Sequence, residues 1–398
     1  MNRVKYDVVV AGGSLSGLLT AREIGKSSIS VKVLEADHEI GTPEHCGGLV
    51  SLSGLRKLGI VPSHRTFRNH ITRAKICSRC SSFVIDAKLQ DVVAIDRREL
   101  DKQIAFQAQE LGVEITTMNS MKSVSTYPKL DEDQSHKAGN GYTYAVSTTE
   151  GTVYCKFFVD ARGLSSLIRK HRTGILPSGQ YEVFAPWIEP DTVELYFDTD
   201  KYPGFFAWII PLGDNKAKIG VAGRDINIVN AINSFLESKG STYSISRKIF
   251  APIYVSGPIR RFIDGRRFLI VGDAAGQTKP TTAGGILSSG MGGILAGRAI
   301  VEAIEQEDDL FLKNYPSEWH SIFGFEFKKL ILARKIFEHL DNKAIDELFS
   351  TVSRPTIARI SQDGEFDFHS APLSLILNVK STSSIVKGLL ESRLRRAE

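Results

Sequence analysis

The sequence predicts an α/β fold: a Rossmann-like dinucleotide-binding domain, an antiparallel-sheet domain and a C-terminal helical region. Three observations predict it. Tyr6–Ala11 (YDVVVA) runs into a glycine-rich turn, a helix and the strand Val31–Glu35. Towards the other end, Phe268–Ile286 reads as a strand, an Asp at the strand end, a loop and a Gly-Gly helix start. Between them, residues 175–262 alternate apolar and polar (VELYF, AKIGVAG, APIYVSG), the period of an antiparallel sheet.

Composition bounds the class. The 398 residues are 42% hydrophobic and 24% charged, which suits a soluble globular chain of two or three connected subdomains. A net charge of +5, with no Lys/Arg block before the last residues, argues against nucleic-acid binding. No apolar run approaches the roughly 20 residues that span a bilayer. The chain enters a strand almost at once, so no signal peptide is expected and a cytoplasmic location is the default. Four cysteines do not make a disulfide scaffold in a chain of this length.

The elements follow in order. The β-branched run of the first strand is the mark of a parallel strand buried on both faces. Gly12-Gly13-Ser14-Leu15-Ser16-Gly17 is the turn, Leu18–Lys26 the helix and Val31–Glu35 the next strand. Arg97–Leu111 is helical, Val113–Thr117 a strand, Tyr127–Tyr142 a hairpin or exposed loop, and Thr152–Asp160 a strand running into Ala161-Arg162-Gly163. Leu269–Gly272 rejoins the first sheet and Gly285–Glu305 is its helix. Beyond Leu310, Phe323, Phe327, Leu330 and Ile331 keep helical spacing. The dinucleotide-binding domain is drawn from 1–70, 88–170 and 263–305, the sheet domain from 71–87 and 171–262, and the helical region from 306–398.

The motifs point to FAD. Gly12-x-Ser14-x-x-Gly17 departs from G-x-G-x-x-G at the middle glycine, where Ser keeps the turn small and adds a hydroxyl. With Gly13 and Ser16 it opens a helix whose free N–H groups and positive dipole end suit a pyrophosphate. Glu35, with Ala36 beside it, ends the second strand at the spacing of an acidic ribose ligand. Gly272-Asp273 and the loop through Pro280 would hold the ribityl chain, and the helix start at Gly284, Gly285 and Ile286 would face the N1/O2 edge of a flavin. Gly163 closes a strand-to-helix turn of the same kind. Cys46 stands before Gly47 and Gly48, which allow close backbone approach to a ligand; its thiol can donate a proton or shape the pocket. Phe206 and Trp208, two apart in a strand, share a face that can border a flavin or pack as core. No metal site is expected, since Cys77-x-x-Cys80 has no second pair and Cys155 is distant. The pair reads as hairpin cysteines open to a bridge.

These residues carry a resemblance. The chain resembles the geranylgeranyl reductase family, within the FAD proteins shaped like p-hydroxybenzoate hydroxylase, from residue 5 to about residue 350. The turn at Gly12–Gly17 and Glu35 match the wider group. So does Arg97, where the group has an Arg reaching the FAD phosphates, and so do Gly272-Asp273-Ala274-Ala275, Pro280 and Gly284-Gly285-Ile286. Cys46-Gly47-Gly48 with Ser51 is more specific, as is Pro203–Pro211, where the family has P-x-x-Y-x-W-x-F-P. Here Phe206 replaces Tyr and Ile210 replaces Phe, which leans towards the W-x-W-x-I-P of flavin-dependent halogenases. Lys279 stands where the family has Asp before the Pro.

The resemblance implies an FAD-dependent reductase that saturates isolated C=C bonds of prenyl chains, in archaeal-type lipids or prenylated quinones. Cys46, Phe206 and Trp208 are the implied catalytic residues. Phe205, Phe206 and Trp208 can stabilise a cationic carbon by up to about 2 kcal/mol, and Cys46 or a bound water can supply the proton. The implied substrate is a prenyl lipid or prenyl diphosphate, and the electron donor is NAD(P)H or a ferredoxin. A monomer is expected. Peripheral contact with the inner face of a membrane is drawn from the apolar stripe Ile385–Leu394 beside Lys387, Arg393, Arg395 and Arg396. A flavin monooxygenase or halogenase, and a lipid carrier with structural FAD, are the alternatives.

Overall fold

The structure is a computed structural model and describes residues 4–127, 143–166 and 174–377. Its first sheet is built on Val4–Ala11, whose Val8, Val9 and Val10 are wholly buried. That strand lies between Val31–Leu34 and Thr152–Asp160, parallel to both. Glu114–Thr116 extends one side, and Phe268–Ile270 pairs parallel with Thr152–Asp160. Tyr144–Thr148 and Met121–Thr126 continue the sheet antiparallel. Residues 128–142, most of the expected hairpin loop, lie outside the described residues, as does the stripe Ile385–Leu394.

The register brings the parallel strand ends together. Ala11 is level with Leu34 and Asp160, and Asp160 with Ile270. The turns after these ends therefore share one edge, the rim where open α/β sheets bind ligands. The helices Leu15–Ile24 and Ile286–Glu305 pack against each other, and Thr20 Oγ1 donates to Gly293 O at 3.0 Å.

The second sheet runs in the order Ser244–Phe250, Ser178–Phe184, Lys216–Ala222, Ala207–Gly213, Thr192–Tyr196, Arg73–Cys77 and Ser82–Asp86. It is antiparallel except between Thr192–Tyr196 and Arg73–Cys77, which run parallel. The stretch expected to be all sheet also holds the helix Ile228–Lys239, capped by Asn227 and seated on Tyr181, Val183, Ile209 and Ile219 through Ile232, Phe235 and Leu236. Strand alternation turns Gln180, Trp208, Ile210 and Lys218 to the opposite face. The strands of a small sheet, Leu49–Ser51, Phe67–Ile71 and Val92–Ile95, flank Arg73–Cys77 and Ser82–Asp86 in the chain.

The cysteine pair sits in a hairpin, as the sequence suggests, and is not bridged. Cys77 and Cys80 are both free. The hairpin register pairs Cys77 with Ser82, which leaves Cys77 buried at the strand end and Cys80 exposed in the turn.

The helical region comprises Asn314–Phe337, Asn342–Ser350, Arg354–Asp363 and Ser370–Ile376. Its first helix is pinned to the first sheet. Tyr315 donates to Ile270 O at 2.7 Å, and Trp319 Nε1 donates to Ser288 O at 3.0 Å.

Candidate active site

The rim begins at Gly12. Its φ of +112° is a conformation that L side chains rarely adopt, and a Cβ there would lie 2.4 Å from Ala161 O. Gly17 is equally constrained by contact, since a Cβ would meet Gly12 O at 2.1 Å. The turn can therefore hug the strand ends and aim the helix at whatever lies on the rim. Ser14, at the helix N-cap, is exposed and makes no side-chain capping bond, so the first turn keeps donors for an anion. Ser14 Oγ donates instead to Asp101 Oδ2 at 3.3 Å, and Arg97 Nη2 donates to Asp101 Oδ1 at 2.8 Å. Burial opposes the Arg97 charge, but Asp101, Cys46 and Glu44 outweigh it and raise its pKa. Its buried Nε has no hydrogen-bond partner. An orphaned guanidinium donor near an uncapped, glycine-cradled helix start is a donor set that fits a diphosphate.

Glu35 Oε2 accepts from Gly13 N at 2.7 Å and Oε1 from Asp37 N at 2.9 Å, which fixes the carboxylate at the second strand end while leaving lone pairs for a diol. Ala36 follows it, exposed. Ser16 is buried against the second motif, and a Cβ on Gly272 would lie 2.2 Å from Ser16 Oγ. Gly163 stands beside Asp273, where its Cβ would be 3.8 Å from that of Asp273. Asp273 is exposed, yet the surrounding protein raises its carboxyl pKa by desolvation. The two facts agree if its carboxylate forms a wall of a crevice. Ser289 donates to one of its oxygens at 3.2 Å. Pro280 is buried, and a Cβ on Gly257 would lie 3.4 Å from its Cγ, so it underpins the loop.

The sequence reading missed two supports. Gln277 accepts from Gly272 N at 2.8 Å and donates to Tyr315 at 3.0 Å, tying the second motif to the helical region. Glu44 and Lys218 are side by side with side chains 1% and 2% exposed, 2.6 Å apart. Glu44 also accepts from Arg97 N at 2.9 Å and pairs with Arg247, which reaches Glu182 at 2.5 Å. Burial works against the Glu44 charge, but Lys218 and its other donors overcome it and lower its pKa. Lys218 Nζ and Gln180 Nε2 both donate to Cys46 O at 3.1 Å. The ionic group thus holds the Cys46 loop. The available signal was Lys218, a lysine at an inward position of an alternating strand.

One cavity of about 300 Å³ collects the rest. Cys46 and Gly47 line it, with Phe206, Trp208, Gly284 and Ile286. Phe205 and Phe206 stack at 4.1 Å, and Trp208 meets them edge-on at 6.4 and 6.2 Å. Gly285 is the N-cap of the long helix and, like Ser14, leaves the helix start without a side-chain cap. The cavity wall therefore joins an uncapped helix start, a thiol and an aromatic group. A second apolar cavity of about 260 Å³ shares Phe205, Phe206, Val193 and Leu195 with it.

The FAD binding domain family matches residues 5–323. Digeranylgeranylglycerophospholipid reductase 2 of Methanothermobacter thermautotrophicus is 30% identical over 380 residues, 90% of this chain and 94% of the relative. The chain belongs to the geranylgeranyl reductase family. Its cofactor is FAD and it is an FAD-dependent oxidoreductase. The reductase of the same name from Methanopyrus kandleri is 29% identical over 385 residues, 91% and 94% of the two chains. A geranylgeranyl bacteriochlorophyll reductase-like protein of Thermoplasma acidophilum shares the fold, with a TM-score of 0.82 at 20% identity over 98% of this chain and all of the other. A flavin-dependent brominase shares it less closely, with a TM-score of 0.63 at 17% identity over 99% and 100%. The family's flavoprotein fold thus agrees with the sequence expectation.

Proposed function

We propose that this flavoenzyme saturates isolated C=C bonds in the prenyl chains of archaeal-type glycerophospholipids. The observation that carries the reading is the apolar cavity lined by the Gly284–Ile286 helix start and the Phe205, Phe206 and Trp208 group, which shares lining residues with a second apolar cavity of similar size. Two adjoining apolar cavities suit a long, flexible hydrocarbon better than a compact polar ligand. The relatives' names support the same substrate class.

In this reading the turn Gly12–Gly17, with Gly13, Ser14 and Ser16, and the guanidinium of Arg97 hold the FAD diphosphate. Glu35 and Ala36 meet the ribose. Gly163, Gly272 and Asp273 hold the ribityl chain over Pro280, and Gly284, Gly285 and Ile286 receive the negative edge of the reduced ring. FAD, when bound and reduced, supplies a hydride. The residues of this chain do the rest. Phe206 and Trp208 turn aromatic faces to the alkene and favour positive character on its more substituted carbon. Cys46 and Gly47 line the cavity, on a loop held by Lys218 and Gln180. The apolar walls exclude water, so charge developing during the reaction is met by fixed groups.

The test is anaerobic. FAD-loaded protein reduced with dithionite is mixed with digeranylgeranylglycerophospholipid in mixed micelles, and the lipid is weighed by mass spectrometry. Each saturated bond adds two hydrogens. Turnover that requires oxygen, or a lipid that is bound and returned unchanged, overturns the reading.

A further inference from the structure

Lys279 is the departure from the family pattern that the function has not absorbed. It lies in the second flavin motif, between Asp273 and the long helix. Its backbone N–H donates to Gly284 O at 2.9 Å, and a Cβ on Gly284 would lie 3.4 Å from its Cε. The side chain therefore runs alongside the helix start and reaches the same cavity as Cys46 and Trp208. The residue is 8% exposed. Its Nζ meets His369 Nε2 at 3.2 Å and the Phe366 carbonyl at 3.4 Å. An ammonium has only donors, so His369 Nε2 accepts and carries no proton in this pairing. An ammonium has three N–H groups, and these two contacts leave a third for a ligand.

Among the described residues, the charged groups acting on Lys279 are Asp367 and Glu326. Desolvation lowers its pKa, and Asp367 and Glu326 partly restore it. Desolvation, then Lys279 itself, holds His369 well below its ordinary value, so it is neutral near neutral pH. Glu326 is occupied by Ser370 N at 2.9 Å and Asp367 by Ser51 Oγ. With two carboxylates nearby, this corner is poorly suited to an anionic head group. It is well suited to an ammonium that gives up a proton, because its desolvated form is the neutral amine.

We propose that Lys279 is the acid that protonates the alkene. This rests on the prenyl-reductase reading. The π bond breaks; one carbon receives the hydride supplied by the reduced cofactor, and the other forms a C–H bond with a proton from Lys279 Nζ. The N–H bond breaks, its electron pair stays on nitrogen, and solvent returns the proton between turnovers. Lys279 is thus a catalytic residue, and Cys46 shapes the cavity.

The test uses the FAD-loaded full chain, reduced with dithionite without oxygen, and digeranylgeranylglycerophospholipid in mixed micelles. Lys279→Met keeps the length and removes the proton. It is expected to lower lipid saturation at least 100-fold while FAD affinity, lipid binding and melting temperature stay near those of the parent. Lys279→Arg keeps the charge but is too weak an acid, and is expected to be slowed at least tenfold. The parent's rate falls as pH rises through the Lys279 pKa, at a pH below that of an ordinary lysine, and this limb is missing from Lys279→Met. Competitive acetylation read by peptide mass spectrometry reports the same group without turnover: lipid should protect Lys279 at least tenfold and leave exposed Lys26 unchanged. Either variant within threefold of the parent, or Lys279 unprotected by bound lipid, overturns the proposal. If Lys279→Met fails to fold, Lys279→Arg and the protection measurement decide. A parent that does not saturate the lipid at all defeats the reductase reading, and the proposal with it; an active parent with an active variant defeats the proposal alone.

Discussion

Trp208 lies across its strand partner Gly220, where a Cβ would come within 2.3 Å of the indole. The small partner gives the ring its place, and its neighbours Ala207 and Ile209 point into the core on the other side. Trp208→Ala is therefore expected to cut turnover per bound flavin by about tenfold or more while FAD stays bound. Because one side of the ring faces the cavity, its stability cost should fall below the roughly 3–5 kcal/mol of a wholly buried aromatic. Turnover per flavin measured beside a melting curve checks both. Glu44 makes the opposite kind of prediction. Its pKa is lowered in the folded chain, so its stabilisation is fully present above the unfolded value of about 4.3 and is lost as pH falls through the folded value. Glu44→Gln leaves Lys218 buried without its carboxylate and should cost about 3–5 kcal/mol at neutral pH. Urea unfolding at pH 7 and at successively lower pH should show this cost shrinking once pH falls below about 4.3, as the parent begins to lose the same stabilisation.

At the scale of the element, the first turn and the helix Ile228–Lys239 behave differently. Gly17→Val drives a side chain into the Gly12 carbonyl, so the helix start must move away from the strand end. FAD affinity, read by flavin fluorescence, should fall by about tenfold or more, since the N–H groups no longer converge on the diphosphate. The helix Ile228–Lys239 sits on the far face of the second sheet from the cavity. Asn227 accepts from Asn230 N at 3.0 Å at its start. Asn227→Ala should cost about 1 kcal/mol in a melting experiment and leave FAD binding and turnover unchanged.

Across the whole molecule, the proposed cofactor site draws on chain segments far apart. In the proposed site, residues 12–17, 35 and 272–286 follow strand ends that share one edge, Arg97 joins them through Asp101 and Ser14, and Tyr315 locks the second motif from the helical region. A ligand that bridges these segments binds the folded chain and not the unfolded one. Removing FAD should therefore lower the melting temperature, and restoring it at about 100 times its dissociation constant should return about 2.7 kcal/mol. Among the described residues no helix is long and apolar enough to cross a membrane.

What could be read along the chain was local. A β-branched run, a glycine turn and an acidic strand end lie within 35 residues of the start, and their spacing already implies a strand, a helix and a diphosphate. The second flavin motif is equally continuous, and the strand alternation that turned Phe206 and Trp208 the same way is a property of neighbouring residues. The helix Ile228–Lys239 was legible too, in Ile228, Ile232 and Phe235 behind an Asn cap, but the alternating strands on either side obscured its period. Other features had no local signal. Lys218 and Glu44 are 174 positions apart, and Lys279 and His369 are 90 apart. Neither pair follows a period or a motif. Each exists because burial makes an isolated charge costly, and folding supplies whichever distant partner the packing brings within reach. The cavity has the same origin: its walls come from the second sheet, the Cys46 loop, the start of the long helix and the C-terminal helices, and a space between elements leaves no mark on any one of them.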